Sequence, residues 1–171
     1  MSSRAIKLVA GLALLVVVAP VVAHAFPALV GTEYSYVVQS GSMEPAIGTG
    51  SVVFVADVPV DTIDEGDVIT FSDTRTGPTT THRVIEKHQA ETSLRFRTKG
   101  DANEDPDPEP VYRNEVVGVV TLSVPLIGYL IGFAQTQLGW IMLVVLPVGL
   151  LIVNELWTLY QAIEPDDSTG V

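Results

Sequence analysis

The chain has 171 residues, room for one domain with accessory segments. Its 20 acidic and 9 basic residues leave a formal charge of −11, which argues against nucleic acid as a partner. The absence of cysteine excludes a disulfide framework, a thiol nucleophile and cysteine-ligated zinc. Mean hydropathy is nevertheless positive, because apolar residues crowd the two ends. Lys7, Lys87 and Lys99 are its only lysines. An acidic, lysine-poor surface fits a high-salt, halophilic setting, where screening weakens carboxylate repulsion, and fits a generic acidic surface equally well.

In chain order, residues 1–5 are a short polar start with Arg4, and 6–26 are almost wholly apolar. A helix of about 20 apolar residues spans a hydrocarbon core of roughly 30 Å. Arg4 and Lys7 predict a cytoplasmic N-terminus, with the next segment on the extracytoplasmic face. Ala23-His24-Ala25 has the form of a signal-peptide cleavage site, but the run is long for a signal core and reads as an uncleaved anchor.

Residues 27–137 form the expected β domain. Segments 34–39, 51–56, 67–72, 79–87, 93–98 and 111–122 are rich in β-branched and aromatic residues, and Gly, Pro and Asp clusters separate them. Glu65-Gly66-Asp67 and Arg75-Thr76-Gly77-Pro78 read as turns between strands. No helix is expected between 31 and 121. Residues 101–110 make an acidic, proline-rich loop. The apolar stretch 124–134 is short for a span; it fits a membrane interface or a strand of the domain core. A second span is predicted over 138–157. From Trp140 to Trp157 is roughly 26 Å of helix, which suits aromatic residues at two interfaces. Residues 158–171 would be an acidic cytoplasmic tail.

The polar turn Ser40-Gly41-Ser42-Met43-Glu44-Pro45 lies between the first apolar run and the strand at 51–56. A serine on a constrained turn can act as a nucleophile if a base lies within hydrogen-bond reach, although the composition alone also fits an ordinary loop. Candidate bases are His82, within a strand, His88, His24 in the apolar run, and Lys99, which could lose its proton if desolvated. Asp101, Asp105 and Asp107 could each orient a histidine. Spacing alone does not rank them.

Four segments in order carry a resemblance: Ser40-Gly41-Ser42-Met43-Glu44-Pro45, Glu65-Gly66-Asp67-Val68-Ile69, Thr81-His82-Arg83-Val84-Ile85, and Thr98-Lys99-Gly100-Asp101-Ala102-Asn103. Together they resemble the motif boxes of type I signal peptidases of the archaeal and endoplasmic-reticulum type. The resemblance covers about residues 34–130. It implies a mainly β catalytic domain held by an N-terminal and a C-terminal transmembrane helix. It further implies Ser42 as nucleophile and His82 as general base, where the bacterial branch has lysine. Asp101 and, six residues later, Asp107 would be the catalytic aspartates, and Ser40 with Ser42 would form the oxyanion hole. Asn is the usual family residue where this chain has Ala102.

The implied reaction is hydrolysis of one peptide bond in secretory preproteins, releasing the mature protein from its signal peptide. The expected partners are those preproteins, the lipid bilayer and the protein-export machinery; no cofactor or metal is expected. The family's preference for small side chains one and three residues before the cut implies shallow apolar pockets, with Met43, Val53 and Ile85 as candidate lining. The rival reading is a non-enzymatic, membrane-anchored β interaction module.

Overall fold

The computed structural model describes residues 3–72, 77–90 and 93–163. Arg75 and Thr76 of the expected turn, and tail residues 164–171, lie outside the described residues. The chain divides into two compact units, Met1–Leu130 and Ile131–Val171.

The first unit begins with helix α1, Ser3–Ala25, whose 23 residues include Pro20. A 3-10 turn, Pro27–Val30, follows and leads into the sheet. The end of α1 is tied to the first strand: the Ser35 hydroxyl donates to the His24 carbonyl at 2.9 Å and lies 2.8 Å from His24 Nδ1.

Seven antiparallel strands make one sheet: β1 Tyr34–Val37, β2 Val52–Ala56, β3 Val68–Phe71, β4 Thr80–Ala90, β5 Ser93–Lys99, β6 Val111–Tyr112 and β7 Val116–Val124. Their spatial order is β1-β2-β7-β3-β4-β5-β6. Six strands were expected from the sequence. The difference is the segment 111–122, which a turn at Arg113-Asn114-Glu115 divides in two. Its β-branched flanks conceal that break, and Glu115 closes it by accepting the Tyr112 N–H at 2.7 Å. Among the described residues of the stretch 31–121, one 3-10 turn, Val60–Thr62, stands between strands.

Burial explains the strand sequences. Leu94, Phe96 and Thr98 point inward on β5 while Arg95 and Arg97 point out, the alternation of a half-buried strand. On β2, Val52, Val53, Phe54 and Val55 are all buried, so this strand reads as a continuous apolar run. Each such side chain contributes about 1.5–3 kcal/mol when fully buried. Two clusters fill the unit. Ile63, Ile69, Val84, Leu94, Phe96 and Val111 form one, and Met43, Ile47, Val53 and Val55 the other.

Residues 127–134 are not a core strand. After β7 the chain turns into helix α2, Ile127–Ala134, and Gly128 N–H donates to the Gly50 carbonyl at 2.8 Å. Apolar composition alone could not separate strand from helix over so short a run.

In the second unit, α3, Gln137–Trp140, is capped by Thr136, whose hydroxyl accepts the Gly139 N–H. A π-helical turn, Ile141–Val145, leads into α4, Leu146–Ile163. Pro147 has no N–H to donate one turn back, and the widened turn falls just before it. Among the described residues, Gln137–Gln161 is the one helical stretch found long and apolar enough to cross a membrane. Its 25 residues extend roughly 37 Å, against a hydrocarbon core of about 30 Å.

Candidate active site

The Ser40–Pro45 turn is held from inside and from the side. Met43, 2% exposed, and Ile47 insert into the second core cluster, while Ser42 beside them stays half-buried. Met43 cannot move without opening that cluster, so Ser42 has little freedom. The Ser42 carbonyl accepts the Ala102 N–H at 2.9 Å, joining the turn to the loop after β5. Gly100 makes that approach possible: a Cβ there would lie 2.6 Å from the Ser42 oxygen.

His82 reaches the turn from β4, opposite Ile69 of β3. The residue is 7% exposed, and its ring stands edge-on to Phe71. His82 Nε2 lies 3.1 Å from Ser42 Oγ, and Nδ1 lies 2.7 Å from Asp107 Oδ2. A carboxylate only accepts, so the proton of a neutral ring belongs on Nδ1. Nε2 is then free to accept from the Ser42 hydroxyl. Serine, imidazole and carboxylate are thus linked in series, an arrangement in which a ring nitrogen can accept a serine proton.

The other candidates lie outside this chain of bonds. Asp101 faces Arg83 in a two-pronged pair, Nε to Oδ1 at 2.8 Å and Nη2 to Oδ2 at 2.7 Å. That guanidinium holds the Asp101 carboxyl below the usual range, while burial pushes the other way. Lys99 donates to the Glu104 carbonyl at 3.1 Å. Ser40 Oγ stands 3.3 Å from Ser42 Oγ, on the exposed side. His88 pairs with Glu86 on the outer face, and Asp105 lines a separate pocket with His88, Arg95 and Arg97.

A cleft of about 770 Å³ opens over Ser42 and His82. Met43, Ile47 and Val53 contribute apolar lining, as do Tyr36 and Val38. Ile85 is not part of it. That residue sits at the irregularity between β4 and β5, out of phase with His82 and Val84 on their strand. Two residues in this neighbourhood have no separate role in the sequence reading. They are Arg83, the partner of Asp101, and Thr98, whose hydroxyl donates to Asp107 Oδ2 at 2.6 Å. The alternation of β5 contains a signal for the second, a polar residue on the face that carries Leu94 and Phe96.

No family model matches the chain. Individual relatives do. Signal peptidase I W of Bacillus subtilis (strain 168) is 43% identical over 76 residues, covering 43% of this chain and 39% of that protein. The signal peptidase complex catalytic subunit SEC11 of Verticillium alfalfae is 30% identical over 126 residues, 68% of this chain and 73% of the fungal protein. SEC11 of Tuber melanosporum is 31% identical, over 68% of this chain and 72% of its own length. The chain belongs to the type I signal peptidases. As a signal peptidase it is a hydrolase, of the archaeal and endoplasmic-reticulum type, and the interaction-module reading is set aside.

Proposed function

We propose that this signal peptidase removes N-terminal signal peptides from secretory preproteins as a serine endopeptidase, with Ser42 as nucleophile and His82 as general base. The observation that carries the reading is His82, with one ring nitrogen on Ser42 Oγ and the other on Asp107. Ser42 Oγ attacks the scissile carbonyl as its proton passes to His82 Nε2. The imidazolium then protonates the leaving amine, and water hydrolyses the acyl-serine by the same base. Asp107 holds the ring in the Nδ1–H tautomer and stabilises the imidazolium. The Ser42 N–H and the Ser40 hydroxyl face the developing oxyanion. Asp101 acts as a scaffold through Arg83, beside the groups that react.

The same proposal covers the setting. α1 anchors the chain with its N-terminus in the cytoplasm, and Gln137–Gln161 is a second span. The β domain stands on the extracytoplasmic face, where preproteins arrive from the export machinery. Ser42 lies about 16 residues past the end of the apolar run, so the cleft sits close to the bilayer.

A cleavage assay on one preprotein tests the chemistry. Ser42→Ala and His82→Ala each abolish cleavage while the chain stays folded, and Lys99→Ala keeps substantial activity. Cleavage by purified Ser42→Ala would remove the serine mechanism; loss of activity in Lys99→Ala, with His82→Ala active, would move the base to lysine.

A further inference from the structure

We propose that Thr98 is a positioning residue for the catalytic hydrogen-bond chain, holding the Asp107 carboxylate where His82 can use it. The proposal rests on the assignment of Ser42, His82 and Asp107 above.

Asp107 belongs to the proline-rich loop after β5, and a loop alone is a poor mount for a group that must orient a ring. Thr98 supplies the rigid mount. It lies on β5, fully buried, and pairs with Val84 of β4, which shares a strand face with His82 two residues earlier. It grips Asp107 twice. The Asp107 N–H donates to the Thr98 carbonyl at 2.9 Å, and the Thr98 hydroxyl donates to Asp107 Oδ2 at 2.6 Å. The backbone bond sets where the aspartate stands on the loop. The hydroxyl bond sets the rotation of the carboxylate.

Oδ2 is also the oxygen that faces His82 Nδ1 at 2.7 Å. One oxygen therefore takes two donors, one from each of two adjacent strands. With the hydroxyl gone, the carboxylate can turn about its Cβ–Cγ bond, and the imidazole loses its fixed orientation toward Ser42. A buried threonine that only satisfied its own hydroxyl would leave that orientation unchanged.

Kinetics of the full chain in detergent test this, with a preprotein whose signal peptide has alanine one and three residues before the cut. Thr98→Val, nearly isosteric but without the hydroxyl, should lower kcat by up to about 100-fold with little change in KM. Thr98→Ser, which keeps the hydroxyl, should stay close to wild type in both respects. In an Asp107→Ala background, Thr98→Val should add little further loss, since the two act through one bond. Wild-type kcat in Thr98→Val would overturn the proposal, as would equal losses in the Val and Ser variants. If Thr98→Val does not fold, Thr98→Ala against Thr98→Ser decides by the same criteria. Ser42→Ala in the same assay separates the two levels. If it still cleaves, the assignment of the site is wrong; if it is dead while Thr98→Val is unimpaired, only the role of Thr98 fails.

Discussion

Asp101 and Asp107 are the same residue type six positions apart, and their neighbours give them different work. Asp107 meets an imidazole, whereas Asp101 meets a guanidinium that fits both its oxygens. Because Arg83 holds the folded Asp101 carboxyl below the usual range, folding favours its ionised form. That contribution is fully present above the unfolded carboxyl's pKa of about 3.9, and it is lost as pH falls through the lower folded value. Urea unfolding of Asp101→Asn between pH 7 and pH 2 should therefore show a flatter acid decline than wild type. Near neutrality the variant should be less stable by about 1 kcal/mol, a modest figure because solvent reaches Arg83 and screens the pair. An acid decline identical in the two proteins would show that the pair does not contribute.

The elements that matter most are the serine turn and the loop after β5, which meet at the Ser42 carbonyl. A methyl group at Gly100 has to displace that oxygen or the Asn103 side chain, since its Cβ would lie 2.6 Å from the first and 2.8 Å from the second. Misplacement near 1 Å can cost about 100-fold in rate. Gly100→Ala is therefore expected to lower kcat far more than it lowers the unfolding midpoint; steady-state kinetics and a thermal melt on one preparation compare the two. A midpoint that falls while kcat is retained would mean the turn and loop are coupled for stability alone. At this scale the strands were largely legible from β-branched composition and from alternation. The split at 113–115 and the helix at 127–134 were not. A three-residue break between apolar flanks leaves little trace in composition, and a short apolar run has no period long enough to name its type.

For the whole molecule, the setting proposed above, with α1 as an anchor beside the apolar helix Gln137–Gln161, predicts a β domain joined to the bilayer twice. Alkaline carbonate washing of membranes tests the two attachments separately. The full chain should stay in the membrane fraction, and so should a variant lacking 137–163, because α1 still holds it. Extraction of that variant by carbonate would show that α1 is not an anchor. Removal of both segments should release the chain into the wash.

By itself the sequence determined the apolar ends, the β-rich middle, the order of the four family segments and the serine on a constrained turn. All of these are local or ordered along the chain, so composition and spacing carry them. Which groups meet was decided by the tertiary structure alone. Ser42 and His82 are 40 residues apart, and His82 and Asp107 are 25 apart. The pairings depend on strand register across irregular ladders, and on the path of a loop that brings Asp107 rather than Asp105 to the ring. Thr98 shows the limit most clearly. Alternation says it points inward, but only the fold places a carboxylate there for its hydroxyl to hold.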